Sequence, residues 1–203
     1  MSASQNTTPG SGHEMSPYGK EFIKFAEEFA TESDRAAVIL GAAKLDLLLQ
    51  QILEAHLLPS PSGRDELLEG DSPLATFSAR INACYRLGLI TAGFSKALHL
   101  IRRIRNSFAH ESTGVSLDAG AHADRVKELT NMFQQHGAFC WILDEFFKKP
   151  FTSSKNFRAA VALLCLRLDG CFENTKIVTD EAAFDIIPPA WDKAIAAIEK
   201  KKT

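Results

Sequence analysis

The segment from Asp34 to about Leu58 constrains the fold more than any other part of this chain. Ala36, Ala37, Val38, Ile39, Leu40, Leu45, Leu48, Leu49, Ile52 and Leu53 leave it almost no polar face. A helix that is apolar nearly all round belongs in the middle of a bundle, with other elements packed about it. Thr31-Glu-Ser-Asp34 offers hydroxyl and carboxylate caps at its start. Pro59-Ser-Pro-Ser-Gly63 ends it.

The remaining sequence supplies partners for that helix. From Pro17 onward, Phe22, Phe25 and Phe29, with Ile23 and Ala26, form an apolar stripe at helical spacing, either running into the next helix or breaking before it. Asp65 to Glu69 can form one turn. Ser72-Pro73 reads as a cap followed by proline at the first helical position. It would open a helix from Leu74 to about Leu87, with Leu74, Phe77, Ile81 and Cys84 or Tyr85 inward and Gly88 as its stop. A tight connector from Leu89 to Gly93 leads into a basic helix that reaches His110.

Beyond a loop at Glu111–Ser116, the segment from Asp118 to about Gln135 is helical, carrying Val126, Leu129, Met132 and Phe133. Phe139–Phe147 is a short aromatic helix or turn, broken by Pro150. Ser153-Ser154 cap a last long helix that extends near Glu173. Pro188-Pro-Ala-Trp191 then turns into a short amphipathic helix, Asp192–Lys200. Ile177-Val-Thr179 is extended but too short to define a sheet, and no alternating run or Asn-Gly hairpin appears. The expected architecture is therefore all-α, a single-domain bundle of about six to eight helices. It spans residues 16–203 behind a disordered, Ser/Thr/Gly-rich tail over residues 1–15.

This composition excludes several function classes. A net charge of −2 gives no global attraction to nucleic acid or anionic membrane, so any such contact needs a local patch. Cys84, Cys140, Cys165 and Cys171 are far apart, in apolar surroundings and outside any zinc-finger spacing, which predicts buried reduced thiols and a cytoplasmic setting. No signal peptide, membrane span, Rossmann glycine pattern or P-loop is evident. Neither a metal nor a cofactor is expected.

The best local patch lies on the basic helix, where Lys96, Arg102, Arg103 and Arg105 occur without an acidic residue among them. At about 100° per residue, Arg102, Asn106 and His110 share one sector, and Arg105 lies roughly 60° to the side of Arg102. Ala97, Ile101, Ile104 and Phe108 form the opposite, core-facing stripe. Guanidinium groups grip phosphate with two donors, and imidazole exchanges protons near neutral pH. The same residues also fit a plain solvated face, with His110 favouring the helix C-terminus. Asp46 and Glu54 on the apolar helix either pair with Arg102 or Arg105 across the bundle or line a wet edge. His56 and His99 read as structural, and spacing assigns His122 and His136 no role.

Glu32-Ser-Asp-Arg35, Lys44-Leu-Asp-Leu-Leu-Leu49, Pro73-Leu-Ala-Thr-Phe-Ser-Ala-Arg-Ile81, Leu87-Gly-Leu-Ile90 and the run from Ile101 to His110 together resemble the mannitol operon repressor-like family. The resemblance covers roughly residues 30–170 and implies a bacterial, cytoplasmic, all-helical regulator. The Arg-Asn-x3-His element also resembles the signature of the broader HEPN superfamily, helical dimers that often act as metal-independent ribonucleases. There the Arg and His correspond to Arg105 and His110, and the following polar residue to Asn106.

Two functions follow. One is a regulator, expected as a homodimer, that works through a protein or RNA partner. Direct operator reading fits poorly, because Arg102, Arg103 and Arg105 come late on their helix rather than near the N-terminus where base edges are read. The other is an endoribonuclease for single-stranded RNA. His110 would serve as general base, Arg105 with Arg102 would stabilise the charged phosphorane, Arg103 would hold phosphate, and Asn106 would orient His110 or hold a phosphate oxygen.

Overall fold

Ser33 decides where the first helix ends and the central one begins. Its hydroxyl accepts from the Ala36 N–H at 3.2 Å while its backbone is extended, which separates α1 (Pro17–Thr31) from α2 (Asp34–His56). A computed structural model describes residues 17–61, 65–111 and 114–179, apart from the side chains of 17–19. After α2 come α3 (Phe77–Arg86), α4 (Ala92–His110), α5 (Gly120–Thr130), α6 (Gly137–Phe146) and α7 (Ser153–Asn174). The described residues contain seven helices and no strand, an all-α single domain as expected. The expected tail at 1–15 and the C-terminal turn and helix at 188–200 lie outside the described residues.

Two inner helices carry the core. On α7, Phe157 through Cys165 are buried without interruption. This helix packs along α2, and α5, α6 and α1 lean on it from the outside, while α3 and α4 close the other flank of α2. Gly41 lets α2 and α7 approach closely. A β-carbon there would sit 2.9 Å from Val161 Cγ1 and 3.1 Å from Phe29 Cζ. By length and composition α2 is long and apolar enough to cross a membrane, but half of that stretch is buried inside the bundle.

The structure corrects the expectation that α2 is covered all round. Leu40 and Leu47 are 49% and 48% exposed, so a stripe of α2 stays open to solvent among the described residues. It also moves the start of α3. Ser72 donates its hydroxyl to the Leu67 carbonyl at 2.7 Å and so does not cap; Thr76 caps instead, accepting from Ala79 N–H. Similarly, Thr152 caps α7 rather than Ser153 or Ser154. α5 is shorter than expected at both ends: it begins at Gly120, Asp118 being spent on the Ser154 N–H, and a turn replaces its last residues. Cys84 and Cys165 are buried as expected, but Cys171 is only half-buried and Cys140 is exposed on the outer side of α6. All four thiols are free.

A buried polar knot joins the helix starts. Asp34 Oδ2 accepts from Leu117 N–H at 2.8 Å and Ser116 Oγ at 3.3 Å, and Oδ1 accepts from Ser154 Oγ at 2.6 Å and Arg158 at 3.1 Å. Arg158 also donates to the Ser154 hydroxyl and to the Glu32 carbonyl. Burial works against the Asp34 charge. The hydrogen bonds from Ser154, Leu117 and Arg158 outweigh it and hold this carboxyl below its ordinary value.

Candidate functional site: the basic flank of α4

Both ends of α4 are fixed. Gly88 takes φ of +75°, a conformation that favours glycine, and turns the chain out of α3. Thr91 then caps α4 by accepting from Phe94 N–H at 3.2 Å. At the far end Arg35, at the start of α2, donates to the carbonyls of Phe108 at 2.9 Å and Glu111 at 2.5 Å. Those donors answer carbonyls that a helix terminus leaves open. Ala97, Ile101, Ile104 and Phe108 are fully buried, so the expected core stripe anchors the helix by one face.

The opposite flank is basic. Arg103, Arg105 and His110 are exposed, and Arg102 and Asn106 are half-buried. None of the three arginines has a carboxylate partner among the described residues. Arg102 Nε is buried and without a hydrogen-bond partner. Arg105 donates to Asn106 Oδ1 at 3.0 Å, so that amide oxygen faces the guanidinium. His99, one turn earlier, meets Asn82 Oδ1 at 3.1 Å. Its pKa is lowered, first by burial and then by the positive charges of Arg102 and Arg103.

Asp46 has a different partner from the two considered in the sequence. Its Oδ1 accepts from Arg80 at 2.8 Å, across from α3, rather than from Arg102 or Arg105. Arg80 is buried on the inward side of α3, and its charge neutralises the carboxylate. Asp46 nevertheless lines the same open cleft of about 350 Å³ as Thr76, Ser78, Arg102, Arg105 and Asn106. Glu54 is exposed and accepts from Gln50 at 2.7 Å. Within that cleft two guanidinium groups, an amide and two hydroxyls stand near one already neutralised carboxylate. The arrangement suits an anionic group.

His110 stands apart from the cleft. It lies five positions beyond Arg105, about 140° around an α-helix, so one chain does not converge the two side chains on a single atom. A second cluster occupies the C-terminal end of α4, and spacing gave no sign of it. Glu111 Oε1 accepts from Ser107 Oγ at 3.1 Å and meets His122 Nε2 at 3.1 Å. The His122 ring also packs on Phe108 at 4.6 Å between centroids, and Arg125 donates to Ser107 Oγ at 3.4 Å. His122 arrives from α5 across a loop, so no helical periodicity links it to Glu111. Its burial among these partners makes it a tie between α4 and α5.

No protein-family model matches the sequence, and no curated protein matches it. Among solved structures, the fold is similar to a chain in the X-ray structure of the MtlR–HPr complex from Escherichia coli, with a TM-score of 0.50 and 16% identity. The similarity covers 75% of this chain and 98% of that one. A fold like that of a mannitol operon regulator agrees with the resemblance carried by the sequence motifs. None of the comparisons supports the wider HEPN resemblance of the Arg-x4-His element.

Proposed function

We propose that this chain is a regulatory protein of the mannitol operon repressor-like kind, acting by docking a protein partner on the basic flank of α4 rather than by reading DNA. One observation carries the proposal. Arg102, Arg103 and Arg105 stand on a helix fixed at both ends, and no carboxylate of the described chain satisfies them. Charges left unpaired on a rigid surface speed encounter with a partner of opposite sign and fix its register. The solved structure with a similar fold is a complex with HPr, which makes an HPr-type protein the first partner to try. The fold also lacks, among the described residues, a helix whose exposed N-terminal turn carries these arginines, as a recognition helix would.

The test is a calorimetric titration of the purified protein with HPr from the same cell, and with the Arg103→Glu/Arg105→Glu variant. Binding that weakens tenfold or more in the variant, and weakens with added salt, supports the docking face. Unchanged binding in the variant overturns that face, and no binding to HPr at all overturns this partner.

A second reading is a metal-independent endoribonuclease. Arg105 and His110 are both exposed, and no ion pair or side-chain hydrogen bond engages the His110 imidazole among the described residues. Because the two diverge around α4, this reading requires a homodimer in which one chain supplies Arg105 and the other His110. Cleavage of labelled single-stranded RNA in EDTA, lost in His110→Ala, would establish it; cleavage that survives the substitution would sink it.

A further inference from the structure

A cleft of about 240 Å³ opens where α1, α2 and α7 meet, on residues that the basic flank does not use. Phe22 and Phe25 of α1 and Phe172 of α7 line it. Glu21, Lys44 and Asp169, one from each helix, bring charge to the same space. None of these three takes part in an ion pair within 4.0 Å among the described residues. Asp169 is half-buried. Burial pushes its carboxyl above the ordinary value, Lys44 draws it back, and Glu21 and Glu173 push it up again. Negative charge therefore outnumbers positive here, and the carboxylate most withdrawn from water has no hydrogen-bond donor among the described residues.

We propose that this cleft binds a small organic cation, an ammonium group on a compact apolar body. Asp169 and Glu21 hold the ammonium, and Phe22, Phe25 and Phe172 enclose the body. Ionised carboxylates only accept hydrogen bonds, so a group with several N–H donors and a positive charge is their complement. Aromatic faces attract cations as well as apolar groups. An anion would have Lys44 alone in its favour and two carboxylates against it. A neutral apolar molecule would leave Asp169 further desolvated and still unpaired. The volume is below the usual range for drug-sized ligands, which limits the ligand to roughly ten to fifteen non-hydrogen atoms. Cys165 also lines the cleft, but burial pushes its thiol far up, so it stays protonated and the cleft binds rather than attacks.

The test is calorimetric titration of the full chain with three probes of similar shape: phenethylammonium, 2-phenylethanol and phenylacetate. Phenethylammonium should bind at least tenfold more tightly than either of the others. Asp169→Asn should erase that preference, and Lys44→Gln should keep or strengthen it. Glu21→Gln, at an exposed position, should weaken the ammonium severalfold, and it decides the matter if Asp169→Asn does not fold by circular dichroism. Phenylacetate binding as tightly as the ammonium, binding lost in Lys44→Gln, affinity unchanged in both carboxylate variants, or no binding of phenethylammonium at millimolar concentration would each overturn the proposal.

Discussion

Arg158 on α7 donates to the Asp34 carboxylate at 3.1 Å and to the Glu32 carbonyl at 2.6 Å, fastening the start of the second inner helix to that of the first. Both side chains are largely buried, at 6% and 20% exposure. Removing one partner of such a pair strands the other charge. Arg158→Met should destabilise the fold by about 3–5 kcal/mol, read by urea denaturation. A loss below about 1 kcal/mol would mean that the serine hydroxyls and the Leu117 N–H satisfy Asp34 without the arginine.

The same carboxylate sets a pH dependence. Its pKa is lowered in the folded state, so the unfolded chain binds more protons in the acid range and stability rises with pH there. The contribution is complete above the unfolded carboxylate value of about 3.9 and disappears as pH drops through the folded one. Wild type and Asp34→Asn should thus differ most in melting temperature at neutral pH and converge in acid. A gap that widens below pH 4 contradicts this.

Gly41 places α2 against Val161 and Phe29 with no room for a methyl group. Alanine is favoured over glycine inside a helix by about 1 kcal/mol, while overpacking costs about 1–3 kcal/mol. Val161 is β-branched and fully buried, so it yields little, and the clash should win. Gly41→Ala should lower stability by about 1 kcal/mol, and a more stable variant would show that α2 and α7 can part cheaply.

His99 reports the field of the α4 flank. Burial is the larger cause of its lowered pKa, and Arg102 and Arg103 add to it. Arg103→Ala, at an exposed position, should therefore raise the His99 pKa toward the ordinary histidine value in an NMR titration without altering the fold. A downward shift would mean that the positive field at His99 does not come from this arginine.

Thiol reactivity should sort by burial. Cys84 is pushed up to about 12 by burial and then by Cys171, and Cys165 is raised further, whereas Cys140 is exposed. In the native protein at pH 8 Ellman's reagent should modify Cys140 first, with Cys84 and Cys165 reacting only on unfolding. Prompt reaction of Cys84 would indicate local opening of α3 from α2, and prompt reaction of Cys165 local opening around α7.

Much of this fold is legible in the chain because it is written in local pattern. The Ala97–Phe108 stripe, the Gly88 stop and the apolar run of α2 each follow from residue spacing within a single element. What spacing hides is the competition for side chains between elements. Ser72 looks like a helix cap, but its hydroxyl answers Leu67; Asp118 looks like the start of α5 but serves α7. The site divides in the same way. The basic flank is visible as a stretch of α4, Lys96 to Arg105, that carries four cations and no acidic residue. The choice of Arg80 as the partner of Asp46, and the meeting of His122 with Glu111, depend on which helices lie side by side.

Arg35 belongs to the central helix yet closes the last turn of the basic one. The arginines of α4 are thus displayed on a frame whose orientation is set by the bundle itself. A partner would have only side chains to order, which keeps the entropic cost of association low. It also frees Arg103 and Arg105 to change identity without a penalty in folding, so under the proposed docking role the choice of partner could be rewritten while the scaffold stays as it is.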